Sequence, residues 1–183
     1  MKSKKIVIII LAIIAVLSLG IYLTISNNKD SNKFKNEYEA YNNLTYKENN
    51  KQNKYENLDI NKNNPIIYLT DETVLKIKTG ENKIIFLGTP DDNNTRLAVK
   101  TLLETAEDNG IDKIYYYEMN SKNKENKIYK KLKEITNQKD LTTPYLALVK
   151  DSKIENSQNG LTEDLYEKYE EIMIDYLMCT SNC

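Results

Sequence analysis

The sequence has no histidine and only two cysteines, at positions 179 and 183. A serine–histidine–aspartate triad is therefore excluded, and zinc chemistry and most general-base mechanisms lack their usual side chains. Lysine and arginine number 26 against 27 acidic residues, so the formal net charge is -1. Because a nucleic-acid surface needs a clustered excess of basic residues, no nucleic-acid partner is predicted. No cofactor is predicted either.

Long apolar runs are also scarce, with one exception at residues 6–25, which carry no charged side chain. A helix of this length rises about 30 Å and matches the hydrocarbon core of a bilayer. We interpret the run as a single transmembrane helix, with residues 1–5 in the cytoplasm because three of them are lysines. A cleaved signal peptide is the alternative, although its apolar region usually spans only ~7–15 residues. The rest of the chain is then expected outside the cytoplasm.

Residues 26–64 are rich in asparagine, lysine, glutamate and tyrosine and poor in aliphatic residues. Such a segment buries too little apolar surface to offset the ordering of its backbone, so a polar tether is expected. Within it, Phe34 to Tyr41 has the pattern of a short helix. The compact domain is expected over residues 65–183.

Beyond residue 64, strand-like and helix-like patterns alternate. Strands are predicted at 66–69, 83–87, 113–119, 145–149 and 153–156, and helices at 70–80, 97–109, 124–137 and from 162 onward. The near-continuous apolar run at 83–87 is typical of a strand buried on both faces. Gly110 is placed to end a helix, and Asp151-Ser152 to form a tight turn between strands. This order predicts an α/β fold with a mixed central sheet and helices on both faces.

Four stretches give the domain a family resemblance. They are Lys83–Pro90 before a helix, Asn109–Tyr116, Thr143-Pro144 before a strand ending at Asp151, and the terminal pair Cys179 and Cys183. Their order is similar to that of the thioredoxin-like superfamily and, more narrowly, resembles the membrane-anchored bacteriocin transport accessory proteins of Gram-positive bacteria. The resemblance implies a thioredoxin-like fold, a cis-proline loop at Pro144 that shapes a substrate groove, and a Cys-x-x-Cys pair at the helix start after Gly88.

The cysteines are missing from that helix start. Asp92 and Thr95 occupy the two positions, and neither side chain can form a mixed disulfide. In one interpretation, Asp92 and its neighbours only cap the helix, since such residues are favoured there. In the other, a binding groove is retained from Pro90, Asp92, Asn93, Thr143 and Pro144. Oxygen ligands for a hard cation are present, but the spacing of a calcium loop is not, so no metal site is predicted.

Cys179 and Cys183 admit three interpretations: a structural disulfide, a redox pair on a mobile arm, or a bridge to another chain. A ring this small stabilises a fold by only about 2 kcal/mol. A helix C-terminus also disfavours a thiolate, so the pair makes a weak nucleophile. The leading prediction is therefore a membrane-anchored, non-enzymatic protein that binds a peptide or protein client, acting as an accessory factor in secretion or export. The alternative is a thiol–disulfide oxidoreductase that uses Cys179 and Cys183.

Overall fold

The computed structural model describes residues 29–76, 82–120 and 126–181. The first helix, α1, is described over residues 29–39. The other elements are β1 (Thr45–Glu48), β2 (Lys51–Lys54), β3 (Ile66–Tyr68), α2 (Asp71–Lys76), β4 (Lys83–Gly88), α3 (Asn93–Asp108), β5 (Ile114–Glu118), α4 (Lys127–Thr136), β6 (Tyr145–Lys150), β7 (Lys153–Asn159) and α5 (Leu165–Ser181).

The main sheet has five strands in the order β3-β5-β4-β6-β7. Strands β3, β5 and β4 run parallel to one another, whereas β6 is antiparallel to β4 and β7 is antiparallel to β6. Strands β1 and β2 form a separate antiparallel hairpin. The sheet is therefore mixed and flanked by helices, as the sequence predicted, and it is consistent with a thioredoxin-like fold.

Strand β4 lies at the centre of the sheet and is buried at every position. Its side chains alternate between two cores, because successive residues of a strand point to opposite faces. Ile84 and Phe86 pack with residues of α1, α3 and α5, whereas Ile85 and Leu87 pack with residues of α2 and α4. Burial on both faces explains why the sequence of this strand is continuously apolar apart from Lys83.

Both predicted turns are present, and they lie at the end of the sheet where β4 begins. Asn109 caps the end of α3 and Gly110 follows with φ +66°, the left-handed conformation in which glycine ends helices without steric cost. Asp151 and Ser152 also have positive φ values, of 49° and 66°, in the turn that joins β6 to β7. Strand β7 continues to Asn159, beyond its predicted end, because it stays paired with β6 over the whole length of that strand.

Residues 29–64 differ from the predicted polar tether. Phe34 and Tyr38, one turn apart on α1, are fully buried in the core beside β4, and Leu58 and Ile60 enter the same core. The segment is poor in aliphatic residues, and its tyrosines were expected to stay solvated, but the large ring of tyrosine buries well when its hydroxyl finds a partner. The Tyr38 hydroxyl has such a partner, since it donates to the Tyr116 hydroxyl at 3.2 Å.

The predicted membrane span, residues 6–25, lies outside the described residues. Among the helices of residues 29–76, 82–120 and 126–181, none is both long enough and apolar enough to cross a bilayer.

Candidate functional site

The candidate site lies where β4 ends and β6 begins. These strands are antiparallel neighbours and their register pairs Leu87 with Tyr145, so Gly88 and Pro144 lie at the same edge of the sheet. The Thr143–Pro144 peptide bond is cis, as the family resemblance implied. The start of α3 follows Gly88 after a short turn. The structure therefore brings the two halves of the predicted site, one on each strand, to a common edge.

Asp92 is the N-cap of α3. Its carboxylate accepts hydrogen bonds from the backbone N–H of Asn94 at 3.2 Å, from the N–H of Thr95 at 3.1 Å and from the Thr95 hydroxyl at 2.6 Å. The first N–H groups of a helix have no partner within the helix, and they stabilise whatever negative charge lies beside them. In this protein that charge is a carboxylate, so the amides that could stabilise a thiolate are already engaged.

Thr95, which stands at the second of the two positions where the family resemblance implies a cysteine, is fully buried. Its methyl group packs against Gly88 so closely that a Cβ atom on that glycine would lie only 2.5 Å from Thr95 Cγ2. Gly88 therefore permits the close approach of α3 to the end of β4. Together with the bond from its hydroxyl to Asp92, this packing makes Thr95 a structural residue of the helix start.

Residues 53–60, the covering segment, precede the main sheet and cover the start of α3. The Glu56 backbone N–H donates to Asn93 Oδ1 at 2.7 Å, and the Tyr55 hydroxyl donates to the Asp91 carbonyl at 3.1 Å. The side-chain oxygen of Asn93, predicted to belong to a binding groove, is thus used within the protein. Pro90 and Pro144 are buried. The other three predicted groove residues, Asp92, Asn93 and Thr143, are half-exposed. Asp92 and Asn93 make hydrogen bonds within the protein, which leaves Thr143 as the half-exposed groove residue without such a role.

Arg96 holds this covering segment in place, and the sequence analysis missed it. The side chain is fully buried. Its Nη1 donates to the Tyr38 carbonyl at 2.6 Å, its Nε to the Glu56 carbonyl at 2.8 Å and its Nη2 to Asn42 Oδ1 at 2.8 Å. A fourth bond joins Nη1 to the Pro90 carbonyl at 3.3 Å. One guanidinium therefore joins α1, the covering segment and the turn before α3.

Two tyrosine rings lie over the same guanidinium. The centroids of Tyr41 and Tyr55 are 5.9 and 5.7 Å from Arg96 Cζ, within the range of cation–π attraction. Burial lowers the pKa of Arg96, and the neighbouring tyrosines partly offset that shift. A signal for this residue is present in the sequence, because Arg96 is the single arginine of a chain whose other basic residues are all lysines. A planar fork with several donors is the property that lysine cannot supply.

A line of buried hydroxyl groups lies behind Gly88. The Tyr116 hydroxyl, which accepts the bond from Tyr38, donates in turn to the Gly88 carbonyl at 3.1 Å. Burial raises the pKa of both tyrosines well above the ordinary value, so the two hydroxyls stay neutral. The network therefore ties α1 to the end of β4 and supplies no proton-transfer group at neutral pH.

Thr143 is half-exposed, and the turn and loop hydrogen bonds among the described residues do not use its backbone. The residues around it are fixed. The Gly160 N–H donates to the Pro144 carbonyl at 2.8 Å, and the Thr142 hydroxyl donates to Asn159 Oδ1 at 2.7 Å. An exposed backbone segment on a rigid support can offer hydrogen bonds to an extended peptide.

Cys179 lies near the end of α5 and is half-buried, whereas Cys183 lies outside the described residues. Helix α5 begins with Leu165, shortly after Gly160, whose N–H bonds Pro144 at the site. At about 1.5 Å per residue, Cys179 lies roughly 20 Å farther along the helix. The pKa of Tyr176, one turn before Cys179, is raised first by burial and then by Asp112, which precedes β5 at the far edge of the sheet. The structure therefore does not bring Cys179 to Asp92.

Within the described part of the chain, no group of three or more cysteine, aspartate or glutamate side chains is arranged to hold a metal ion. At the site, the Asp92 carboxylate is engaged by α3, and Asp91 Oδ1 accepts a hydrogen bond from the Thr89 hydroxyl at 2.5 Å.

Comparisons with known protein families and with curated protein sequences find no match. Solved structures do show similarity. A thioredoxin from Aeropyrum pernix is 16% identical with a TM-score of 0.43, and the match covers 64% of this chain and 86% of that chain. The oxidised thioredoxin from Plasmodium falciparum is 12% identical with a TM-score of 0.41, over 61% of this chain and 95% of that chain.

A third similar chain comes from a yeast structure that concerns the thiol resolving mechanism of a mitochondrial 1-Cys peroxiredoxin through glutathione and thioredoxin systems. It is 18% identical with a TM-score of 0.42, and the match covers 58% of this chain and 93% of that chain. Because these sequence identities and TM-scores are low, the thioredoxin-like fold is inferred from this chain's own strand order, strand directions and junction residues.

Proposed function

We propose that this protein is a thioredoxin-like domain without redox activity at the usual position, and that it holds an extended peptide or protein client beside Thr143. We further propose that residues 6–25 anchor it in a membrane, with the domain outside the cytoplasm, and that it serves secretion or export. The observation that carries the first part is the position of Asp92, whose carboxylate engages the helix-start amides.

The loss of redox chemistry follows from the two degenerate positions. A mixed disulfide needs a thiolate that a substrate can reach. Asp92 offers a carboxylate, and Thr95 is buried against Gly88 and bonded to Asp92. The covering segment adds a further barrier, because Tyr55 and Glu56 contact the residues on either side of Asp92. Even a cysteine placed at position 95 would be enclosed.

Client binding is supported by the backbone of Thr143. Extended peptides are recognised mainly through main-chain hydrogen bonds, with neighbouring side chains supplying selectivity. Thr143 is half-exposed on a support fixed by Pro144 and Gly160, and the half-exposed Asp92 lies at the same edge of the sheet. The carboxylate gives the site a negative charge, so we expect it to favour clients without acidic residues at the point of contact.

The start of α1 bears on the proposed anchoring. The described fold is already helical at residue 29, and Asp30 accepts a hydrogen bond from the Tyr68 N–H at 3.0 Å. Residues 26–28 therefore separate the domain from the proposed span, and three residues reach at most about 10 Å. We accordingly propose a domain held close to the membrane surface, in place of one carried on a long tether.

Site-specific photo-crosslinking tests client binding. A photoreactive residue is introduced at Thr143 of the full-length chain in cells, with the exposed strand position Glu155 as the matched control. We expect adducts of defined mass from position 143, none of those adducts from position 155, and a lower yield when Asp92→Lys reverses the charge of the site. Equal adducts from both positions, or none from 143, would contradict the proposed client site.

Reduction of insulin tests the absence of redox turnover. The full-length protein in nonionic detergent with dithiothreitol is expected to reduce insulin no faster than its Cys179→Ser variant. Turnover that disappears in Cys179→Ser would instead establish the alternative, a thiol–disulfide oxidoreductase that uses Cys179 and Cys183.

A further inference from the structure

A groove of about 1090 Å³ runs along the other end of α3, between that helix and the loop of residues 57–65. On this side the lining begins at Val99, in the middle of α3, and continues past the end of the helix to Asp112. The groove therefore lies away from Asp92, which is at the start of the helix. Its volume is at the upper limit of ordinary small-molecule sites, which span roughly 300–1,000 Å³. A space of this size admits several side chains of a partner.

The floor of the groove is apolar. Val99 and Ile60 are at most 2% exposed, Leu58 and Ile111 are 6% exposed, and the half-buried Leu103 packs against the same core. Leu58 and Ile60 belong to the segment that composition had predicted to be solvated. The groove therefore exists only because that segment docks on α3.

The rim of the groove is acidic. Asp59, Glu104, Glu107 and Asp112 line it, against a single lining cation, Lys100. Lys100 is already 3.6 Å from Glu56, and Asp59 is 3.8 Å from Lys35.

Glu104, Glu107 and Asp112 have no ion pair within the described residues. Three exposed carboxylates thus surround an apolar floor without an ion-pair partner among the described residues. A neutral apolar ligand would partly desolvate them without giving them a partner, and an anionic ligand would be repelled.

We propose that this groove binds a cationic peptide segment of a partner protein, in which lysine or arginine residues flank aliphatic side chains. The aliphatic groups lie on the floor, where Leu58, Leu103 and Ile111 keep exposed surface. The cations pair with Glu104, Glu107 and Asp112. This second binding surface does not depend on the client site at Thr143, and either proposal can fail without the other.

The test uses the full-length protein in nonionic detergent and a short fluorescent synthetic peptide in which leucines alternate with lysines. Anisotropy titrations compare the wild type with a rim variant, Glu104→Gln with Glu107→Gln. The matched control is Glu163→Gln with Glu167→Gln, which gives the same change in net charge. Both residues are exposed; Glu163 precedes α5 and Glu167 lies in its first turn. A second peptide, with glutamate in place of lysine, and a detergent blank complete the set.

We expect saturable binding of the lysine peptide, a three- to tenfold (roughly) weaker affinity for the rim variant, and less than a twofold effect in the control. The difference is expected to shrink at high salt, because exposed charges are screened. Leu103→Ala is expected to weaken binding at every salt concentration, with urea unfolding used to confirm that the variant is folded.

Three results would overturn the proposal. The first is an absence of saturable binding, or equal binding of the glutamate peptide. The second is an equal loss of affinity in the rim variant and the control, which would indicate diffuse attraction to the whole acidic surface. The third is a dimer, seen by sedimentation, whose dissociation constant changes only in the rim variant, since that would identify the occupant as a second copy of this chain.

Discussion

Replacing Arg96 with lysine is expected to detach the covering segment from the start of α3. The guanidinium makes three short hydrogen bonds, of 2.6 to 2.8 Å, to Tyr38, Glu56 and Asn42. A lysine keeps the charge but has one terminal nitrogen in place of a planar fork, so it cannot reach acceptors on three sides. The variant therefore tests the shape of the arginine and leaves the net charge unchanged.

The expected magnitude follows from the bonds that are lost. A hydrogen bond to a charged group contributes about 1.5–3 kcal/mol, and a lysine that keeps one of the three short bonds loses two. We expect the free energy of opening of the covering segment to fall by roughly 3 kcal/mol, because two bonds at the lower value are removed. Since 1.4 kcal/mol corresponds to a factor of ten, amide exchange in that segment should become about 100-fold faster.

Hydrogen exchange followed by mass spectrometry measures this change over residues 53–60, which include the Glu56 amide bonded to Asn93. The control is Lys100→Ala on the same helix, where an exposed ion pair with Glu56 at 3.6 Å is worth under about 1 kcal/mol. If Arg96→Lys accelerates exchange no more than Lys100→Ala does, or accelerates it equally in the central strand β4, then Arg96 does not act as a local clamp.

Substitutions at four further positions probe the same region. Gly88→Ala should cost about 1–3 kcal/mol in urea unfolding, because its Cβ would lie 2.5 Å from Thr95 Cγ2, and Thr95→Ser should recover part of that loss by removing the methyl group. Asp92→Ala should cost about 1–2 kcal/mol as an N-cap loss, whereas Asp92→Asn should cost less; equal losses would argue against capping. Although partial burial raises the pKa of Glu39, hydrogen bonds from Lys35 and the Ile60 N–H lower it overall. Its stabilising effect is therefore complete above the unfolded-state pKa and is lost as pH falls through the lower folded-state pKa, so Glu39→Gln should flatten the acid side of the stability profile.

Much of the main sheet could be predicted because its signals are local. The apolar run of β4, the glycine after α3 and the Asp151-Ser152 turn each depend on the conformational preferences of a few adjacent residues. The capping role of Asp92 was also available from the sequence, since it needs only the first turn of its own helix. These features could be predicted without knowledge of what packs against them.

The docking of residues 29–64 could not be predicted in the same way. Its burial depends on contacts far apart in sequence, such as Tyr38 with Tyr116 and Arg96 with the Glu56 carbonyl. A composition argument averages over a segment, whereas burial depends on whether each tyrosine and asparagine finds a partner. In this segment the partners exist: Asn64 donates to the Ser31 carbonyl at 3.0 Å, for example.

The sequence alone determined the alternation of strands and helices, the cap at Asp92 and the absence of thiols from the helix start, because these properties belong to residues close together in the chain. The tertiary structure decided what covers that helix start, what encloses Thr95 and where an acidic groove opens along α3. Those outcomes required residues 29–64 to dock on α3, with the carbonyl groups of Tyr38 and Glu56 bonded to the buried Arg96. A sequence pattern does not specify the distance between segments so far apart in the chain.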